Sequence, residues 1–489
     1  MPEYLSPGVY VEEVEIGAKP IEGVSTSTAG FLGETERGPT TPQLITSWLQ
    51  FQRVYGSYLS GAKYLPYAAE GFFANGGQRC YIARIVDQSA VSASGKLTAG
   101  TDDALTVTAA GEGAWGNSIE IEVGAGTFSG FKLTVTYGDL EEVFDDLSVD
   151  ETSTDYYEKR VNRVSNLIVL SQESGDTGGA PDGPTTATAL TGGDDGGTIG
   201  ADDYTRTDTD TPGSRKGLTA FKEIDEISIV YAPDANSVSG LPGYLMTHCE
   251  TLKDRFAIID VESGHSNVSN LDPRSSRTSQ YAAFYYPWIK VYDPLTKLNK
   301  LVPPGGHIAG IYARSDTERG VHKAPANETV RGAVKLEYSI TKGEQDILNP
   351  RGVNCIRAFP GRGIRVWGAR TLSDNTLWKY INVRRLFIFL EESIDEGTQW
   401  VVFEPNDEKL WAKIIQTITQ FLTRVWKDGA LVGTTPEAAF FVKCDRTTMT
   451  QDDIDNGRVI ILIGVAPVKP AEFVIFRIAQ WTGGSEVSE

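Results

Sequence analysis

Histidine is scarce in this sequence of 489 residues, which contains four: His248, His265, His307 and His322. The group closest to a hydrolytic triad is Asp260, His265 and Ser275, in which a carboxylate would orient an imidazole that activates a hydroxyl. Their spacing matches no hydrolase pattern, and no Gly-x-Ser-x-Gly elbow occurs. His307 follows a Pro-Pro-Gly-Gly turn at a predicted helix start, which favours a packing or capping role. The sequence therefore predicts no catalytic residue.

Two further segments resemble ligand sites. Residues 208–213 begin like a calcium loop, but the glutamate needed at the twelfth position is absent and Pro212 occupies a ligand position. Residues 361–363 begin a dinucleotide-type glycine pattern that is not completed, so a tight charged turn is favoured. No phosphate-binding Gly-x-x-x-x-Gly-Lys-Ser/Thr loop occurs. We expect neither a metal nor a cofactor.

Charge and composition exclude further classes of protein. The 45 Lys and Arg residues against 65 Asp and Glu residues give a net charge of −20, which opposes binding to nucleic acid or anionic membranes. No secretory signal and no apolar run long enough to span a bilayer is visible. The cysteines lie far apart in apolar settings, which predicts reduced, buried thiols made in a cytoplasm: Cys80, Cys249, Cys355 and Cys444.

Both ends of the chain have the composition of β-strands without an obvious domain to join. Each carries β-branched and aromatic residues behind a proline. An unpaired strand has free backbone N–H and C=O groups, which it can satisfy by adding an edge to another sheet. We therefore predict two inter-subunit arms, residues 1–28 with the strand residues Val9, Tyr10, Val11 and Val14, and residues 467–489 with Phe473, Val474, Ile475, Phe476 and Ile478.

Between the arms, composition divides the chain into three units. Residues 87–213 are rich in Thr, Gly, Ser and Asp with short alternating runs, which predicts an inserted β-sandwich or β-barrel-like module. Helical spacing is predicted at 156–166 and a mobile acidic loop from 192 to 212. The flanks, 29–86 and 214–372, alternate apolar strands with helices, including strands at 227–231, 256–260 and 281–291 and a short helix at 305–314. This alternation predicts a discontinuous α/β core.

Residues 373–466 predict an α+β domain. Apolar residues from 410 to 426 recur at helical spacing and end at a basic turn before Gly429, whereas a helix over 376–396 is apolar nearly all round. Strands are predicted at 400–403, 438–444 and 459–465. The earlier helix carries two arginines and two glutamates, which either pair within the chain or contact another protein molecule: Arg384, Arg385, Glu391 and Glu392.

Short motifs along the whole chain resemble those of contractile tail sheath proteins, found in phage tails and in phage-tail-like injection systems. Their order and coverage carry the resemblance more than any single motif. They lie at residues 4–13 (YLSPGVYVEE), 113–117, 190–196, 249–256, 302–310, 323–328, 362–372, 383–406 and 467–473.

The resemblance implies a subtilisin-like α/β core without a catalytic triad, an outward-facing β insertion and a C-terminal domain facing an inner tube. It further implies that both arms donate strands to neighbouring copies in a helical polymer of stacked six-subunit rings. The partners would be the tube, baseplate and tail-terminator or cap proteins. If Arg384, Arg385, Glu391 and Glu392 contact another molecule, the resemblance implies that it is the inner tube or an adjacent sheath subunit. The particle, a phage tail or a bacterial injection system, would be assembled in the producing cell's cytoplasm.

A second function remains open. The acidic β insertion could be an adhesin-like surface-binding module on a non-contractile scaffold. Hollow striated cylinders would indicate a sheath, whereas monodisperse particles would indicate a binding module.

Overall fold

The computed structural model describes residues 20–100, 102–162, 164–172, 179–183, 185–209 and 211–477. The strands of these ranges, in chain order, are β1 (Ala29–Gly33), β2 (Gln43–Ile45), β3 (Cys80–Arg84), β4 (Ser94–Ala99), β5 (Asp102–Ala109), β6 (Ile119–Ala125), β7 (Phe131–Tyr137), β8 (Leu140–Leu147), β9 (Ile168–Gln172), β10 (Thr188–Ala189), β11 (Ile229–Tyr231), β12 (Phe256–Asp260), β13 (Ala282–Tyr286), β14 (Ile289–Asp293), β15 (Leu298–Val302), β16 (Lys335–Leu336), β17 (Val353–Phe359), β18 (Gly363–Val366), β19 (Phe440–Lys443) and β20 (Leu462–Val465).

The α-helices of the same ranges are α1 (Trp48–Tyr55), α2 (Leu65–Ala74), α3 (Tyr157–Arg160), α4 (Ala201–Thr205), α5 (Gly217–Ala220), α6 (Leu241–Leu252), α7 (Gly305–Arg319), α8 (Lys342–Leu348), α9 (Ile381–Thr398), α10 (Glu408–Lys427), α11 (Pro436–Ala439) and α12 (Gln451–Asp455). No described helix has the length and apolar character needed to cross a membrane.

The largest sheet has eight strands in the order β18-β17-β13-β12-β11-β1-β3-β2. The six inner strands are parallel, and the two edge strands, β18 and β2, are antiparallel to their neighbours. Strands β1, β12 and β13 are buried at every residue, as expected for a sheet covered on both faces. The predicted mixed α/β architecture is confirmed.

Helices α2 and α7 cross at van der Waals distance because α7 carries glycines on the contact face. A Cβ at Gly306 would lie 2.4 Å from the Cα of Ala68, and one at Gly310 would lie 2.4 Å from the carbonyl oxygen of Phe72. Helix α7 also extends beyond the predicted residue 314 to Arg319. The last turns of this helix carry polar residues, among them Asp316, which pairs with Arg385 inside the molecule. A prediction based on apolar residues alone therefore places the end of the helix too early.

The single strand predicted over residues 281–291 is wrong. The segment forms β13, which belongs to the eight-stranded sheet, and β14, which pairs with β15 and β16 in another sheet. The two strands are separated at Pro287, whose nitrogen has no hydrogen to donate to a strand ladder.

The inserted segment forms two sheets, β10-β6-β7-β8 and β4-β5-β9, around a hydrophobic cluster of their own. Alternate residues of β6 and β7 are buried, as the alternating sequence indicates. The helix predicted over 156–166 is shortened to α3, because only Tyr157–Arg160 are helical. The unit boundaries at 87 and 213 stay a prediction.

The acidic loop predicted over 192–212 is partly wrong. Residues Ala201–Thr205 form α4, and the side chain of Tyr204 is 1% exposed within the main hydrophobic cluster. Its hydroxyl lies 3.5 Å from Oδ2 of Asp234. One buried aromatic residue therefore ties this polar segment to the α/β body.

A third hydrophobic cluster lies around α9, α10 and the β19-β20 sheet. Helix α10 matches its prediction and ends at Lys427. The strand predicted over 400–403 is wrong, since Gln399–Val401 form a 3₁₀ turn. The strands predicted over 438–444 and 459–465 are present but shorter, as β19 and β20. All four cysteines are buried and free, as predicted.

Candidate assembly interface

The C-terminal arm leaves the body as exposed apolar chain. Phe473 and Val474 are each 69% exposed, Ile475 is 81% exposed and Phe476 is 83% exposed. Residues 471–477 have no strand partner within the described chain. Four consecutive apolar side chains in water are costly for a monomer and indicate a surface that another molecule covers. The predicted strand residue Ile478 lies outside the described residues.

A charged cluster holds the start of this arm. The carboxylate of Glu472 accepts hydrogen bonds from Nε and Nη2 of Arg370 at 2.7 and 2.8 Å. It also accepts from Nδ2 of Asn349 at 2.8 Å and from the hydroxyl of Tyr380 at 2.9 Å, and Nζ of Lys379 lies 3.4 Å away. Burial raises the pKa of Glu472, but the bonds from Arg370, Asn349 and Tyr380 outweigh it and hold this pKa at about 2.

The root of the N-terminal arm is also fastened to the body. Ile21 is buried in the third cluster, and its carbonyl oxygen accepts a hydrogen bond from Arg424. The backbone N–H of Val24 donates to Oγ of Ser393 at 3.1 Å, and Thr26 donates to Asp316 at 2.7 Å. The predicted strand residues of this arm lie outside the described residues: Val9, Tyr10, Val11 and Val14.

The β19-β20 sheet has two strands and apolar residues on its exposed face. Phe441 and Leu462 are each 53% exposed. The Phe441 ring lies over Gly464 of the paired strand, where a Cβ would come within 2.1 Å of the ring. The opposite face packs on α10 through Phe440, which is buried. A two-stranded sheet is marginal by itself, so this one offers an edge to a further strand.

Both arginines of α9 are buried and paired inside the chain. Arg384 donates to Oε2 of Glu391 at 2.6 Å, and its guanidinium lies 4.4 Å from the centre of the Trp378 ring. Arg385 donates to both carboxylate oxygens of Asp316 at 3.0 and 2.6 Å. Each arginine side chain is 3% exposed. This geometry agrees with the first alternative, intramolecular pairing.

The two glutamates of α9 are more accessible. The Glu391 side chain is 52% exposed although it pairs with Arg384. Burial, followed by the nearby carboxylates of Asp254, Asp395, Glu396 and Asp225, raises the pKa of Glu392 to about 7. Glu392 lines a cleft of about 340 Å³ together with Asp225, Glu226 and Asp254. A contact of Glu391 or Glu392 with a tube or a neighbouring subunit stays a prediction.

The suspected triad residues form their hydrogen bonds elsewhere. Asp260 accepts from the hydroxyl of Tyr231, whereas Nε2 of His265 lies 3.1 Å from the carbonyl oxygen of Asn267. Ser275 donates to the carbonyl oxygen of Asp272 at 2.6 Å. Asp208, from the suspected calcium loop, accepts from Arg206 at 2.9 and 3.0 Å. Among the described residues, no three His, Cys, Asp or Glu side chains are arranged so that they could hold a metal ion.

The glycine pattern at 361–363 is a hairpin turn, as predicted. Strands β17 and β18 pair up to Phe359 and Gly363, and both Gly361 and Gly363 have positive φ.

Sequence reasoning missed the Glu472 cluster. Its partners are 92 to 123 residues away in the sequence, so no local spacing reveals them. The one available signal is a single carboxylate at the head of an apolar strand.

Comparison with known proteins identifies two family models. Residues 177–372 match the phage tail sheath protein central domain, and residues 373–480 match the phage tail sheath C-terminal domain. The tail sheath protein of Burkholderia phage BcepMu is 25% identical in an alignment of 449 residues that covers 87% of each chain. That of Vibrio phage KVP40 is 27% identical in an alignment of 235 residues that covers 47% of this chain and 34% of the Vibrio phage protein.

Solved structures of contractile particles have the same fold. The helical sheath of the anti-feeding prophage in its contracted state is 25% identical with a TM-score of 0.62, and the match covers 97% of this chain and 99% of the other. A chain of the anti-feeding prophage baseplate structure is 26% identical with a TM-score of 0.60, over 98% and 99% of the two chains.

Proposed function

This chain belongs to the contractile tail sheath family, and on that premise we propose that its copies polymerise helically around an inner tube by exchanging strands. The polymer contracts from a metastable extended state and drives the tube through a target cell envelope. The arms join each copy to its neighbours, and the joints persist while the bodies rearrange. The chain is a structural subunit and not an enzyme.

The observation that carries this proposal is the exposed apolar arm over residues 473–476 in a chain that also has a two-stranded sheet. A donated strand forms several backbone hydrogen bonds, each contributing about 0.5–1.5 kcal/mol net. Burial of its apolar side chains adds about 25 cal/mol per Å². The described arm has no strand partner among the described residues of its own chain, so under the proposal both the hydrogen bonds and the apolar burial stabilise contacts between copies.

The β19-β20 sheet is the proposed acceptor for donated strands. Its exposed face carries Phe441 and Leu462, which offer apolar contacts to alternate residues of an incoming strand. The sheet rests on α10, the most strongly amphipathic long helix described, through buried residues of the third cluster. A strand added there would bind to a rigid base.

Contraction is proposed as a rigid-body change between two packings of the bodies. The buried pair Arg385–Asp316 supports this, because it joins α9 to α7 and its separation would leave a buried charge unpaired. The energy for the movement is stored at assembly, so no nucleotide is needed. Three further features belong to the proposal: the β insertion faces outward, the C-terminal domain faces the tube, and the α/β core has a subtilisin-like fold without a catalytic triad.

The proposed partners follow from the same premise. They are further copies of this chain in stacked six-subunit rings, an inner tube protein, baseplate proteins and tail-terminator or cap proteins. The proposed location is a phage tail or a bacterial contractile particle assembled in the producer's cytoplasm. Nucleic acid and membrane are not proposed as partners, consistent with the net charge of −20.

Removal of the arms tests the proposal. We expect deletion of residues 1–14, or truncation after Ala471, to leave a folded monomer that forms no cylinders by negative-stain microscopy. Truncation after Arg477 retains the exposed segment and is the matched control for the C-terminal arm. Cylinders of normal length and number from both deletions would overturn strand exchange.

Cross-linking tests where the arm binds. A cysteine in place of Ile475 is combined in turn with a cysteine in place of Phe441, Lys443 or Leu462. The native cysteines are buried, so the background of oxidation is low. We expect at least one pair to form a disulfide between chains in the polymer, identified by mixing two chains of different mass. Disulfides formed solely within one chain would contradict the proposal.

A further inference from the structure

We propose that Glu472 is a positioning residue that fixes the register of the C-terminal strand, so that the segment given to a second copy begins at Phe473. This inference rests on the proposed strand exchange and adds the contact that determines the register of the exchanged strand. That contact is the charged cluster described above, in which the Glu472 carboxylate is surrounded by four side chains: Arg370, Asn349, Tyr380 and Lys379.

The path of the chain before Glu472 supports an anchor at this point. Pro467 lies opposite Leu431 in a β-bridge, and the N–H of Val468 donates to the carbonyl oxygen of Ala430 at 3.1 Å. The carbonyl oxygen of Val468 accepts from Asn382 at 3.3 Å. The chain is therefore held to the C-terminal unit up to Val468.

Glu472 then fastens the chain to the α/β body. Arg370 and Asn349 belong to the segments next to β18 and α8, and Arg370 is itself 7% exposed. Nη1 of Arg370 donates to the carbonyl oxygen of Asn349 at 3.0 Å. This third bond helps to hold the guanidinium in the orientation in which it donates twice to Glu472. A bidentate pair of this kind defines both position and direction.

Beyond Glu472 the restraint ends abruptly. No hydrogen bond is formed by residues 473–477 within the described chain, and four of them are the exposed apolar residues. Side chains of a strand alternate between faces, so a fixed residue 472 determines which of Phe473 and Val474 faces the acceptor sheet. Without the anchor, a strand that slips by one residue would turn the opposite set of side chains towards the acceptor sheet.

The anchor is tested first in the isolated full chain. A spin label on a cysteine replacing Ala471 reports the mobility of the arm's root, since the native cysteines are buried. We expect Glu472→Gln to shorten the rotational correlation time of the label several-fold at temperatures well below the melting transition, which itself falls because the buried Arg370 loses its charged partner. Glu318→Gln, which removes one charge from the exposed end of α7, is the matched control and leaves mobility unchanged.

Register is tested in the polymer by insertion of alanine between Glu472 and Phe473. One alanine turns every following side chain to the opposite face, so we expect the yield of cylinders to fall several-fold. Two alanines restore the alternation and harm assembly less. Because the inserted residue matters only if residue 472 is fixed, adding Glu472→Gln to the one-alanine variant should return the yield to that of Glu472→Gln alone.

Two results would overturn the inference. Either the label is as mobile with Glu472 as with Gln, or one alanine is equally harmful with and without the substitution. Failure of strand exchange itself is distinguishable, since the arm truncation would then assemble normally while the mobility difference in the monomer persisted.

Discussion

His307 and Asp260 are both buried near the start of α7, and their pKa values are shifted in opposite senses. Burial lowers the pKa of His307 from 6.5 to about 4. Burial raises the pKa of Asp260 from 3.8 to about 7, against the opposing bonds from Tyr231 and Gly305. The unfolded chain binds a proton at His307 where the folded chain does not, and the reverse holds for Asp260. Their effects on stability partly cancel between pH 4 and 6.5, so the unaltered protein shows only the difference between them.

Replacement of His307 by Gln removes one side of this balance. The neutral imidazole contributes stability above pH 6.5 that is lost as pH falls towards 4, by about 3 kcal/mol. We therefore expect the difference in melting temperature between His307→Gln and the unaltered chain to shift in favour of the variant as pH falls from 7 to 4. Calorimetry across this range measures it. A constant difference would show that His307 is not buried in its neutral form.

Replacement of Asp260 by Asn removes the other side. The protonated carboxyl contributes stability below pH 3.8 that is lost as pH rises through 7, by about 4 kcal/mol. We expect Asp260→Asn to gain melting temperature relative to the unaltered chain as pH rises from 4 to 7, with no further change above pH 8. A relative gain in the acid direction would contradict the assigned sign.

At the scale of elements, the pair Arg385–Asp316 joins α9 to α7. The Arg385 and Asp316 side chains are 3% and 4% exposed, and Arg385 also donates to the carbonyl oxygen of Thr26 at the root of the N-terminal arm. Removal of one partner leaves a buried charge without compensation. The net contribution of such a pair to the free energy of folding is often small, but the loss of one partner is strongly destabilising. The pair therefore helps to keep α7 and α9 in contact.

We expect Asp316→Asn to lower the free energy of unfolding by about 3 kcal/mol, since the Arg385 charge remains buried. Asp452→Asn is the matched control, because Asp452 is exposed and pairs with the exposed Arg458, and should cost less than about 1 kcal/mol. Urea titration followed by tryptophan fluorescence compares the two. Equal costs would mean that the α7–α9 contact opens in solution.

Sequence reasoning predicted well the elements whose hydrophobic pattern is regular and whose buried face does not change along their length. Helix α10 has a clean apolar face, and β12 is a continuous buried run. Prediction failed where tertiary contacts override a local pattern. The buried ring of Tyr204 draws a polar segment into the core. Residues Gln399–Val401 form a 3₁₀ turn, and Phe403, two residues after it, has positive φ.

The candidate site divides in the same way. Exposed apolar residues at 473–476 follow from composition and position, so the sequence alone predicts an arm. The Glu472 cluster does not follow, because its partners come from three distant segments that only the fold brings together. Arg384 and Arg385 illustrate the converse. Their sequence left both intramolecular pairing and an intermolecular contact open, whereas in the structure aromatic rings and carboxylates bury both side chains.

At the scale of the whole molecule, the net charge of −20 opposes any polymer of this chain. Strand exchange works against that repulsion with hydrogen bonds and apolar burial, neither of which salt screens strongly. The repulsion itself is screened over about 30 Å at 0.01 M salt and about 10 Å at 0.1 M. Salt should therefore weaken the opposing force and leave the joining force nearly unchanged.

We expect the yield of cylinders from the full chain to rise between 10 and roughly 300 mM NaCl, where the Debye length falls to several ångströms. The chain truncated after Ala471 should form none at either concentration, because screening removes repulsion without supplying the missing strand. Sedimentation followed by negative-stain microscopy measures both. A yield that falls with salt would instead indicate that attraction between charges assembles the polymer, and the acidic cleft beside Glu392 would then be the first surface to test as its source.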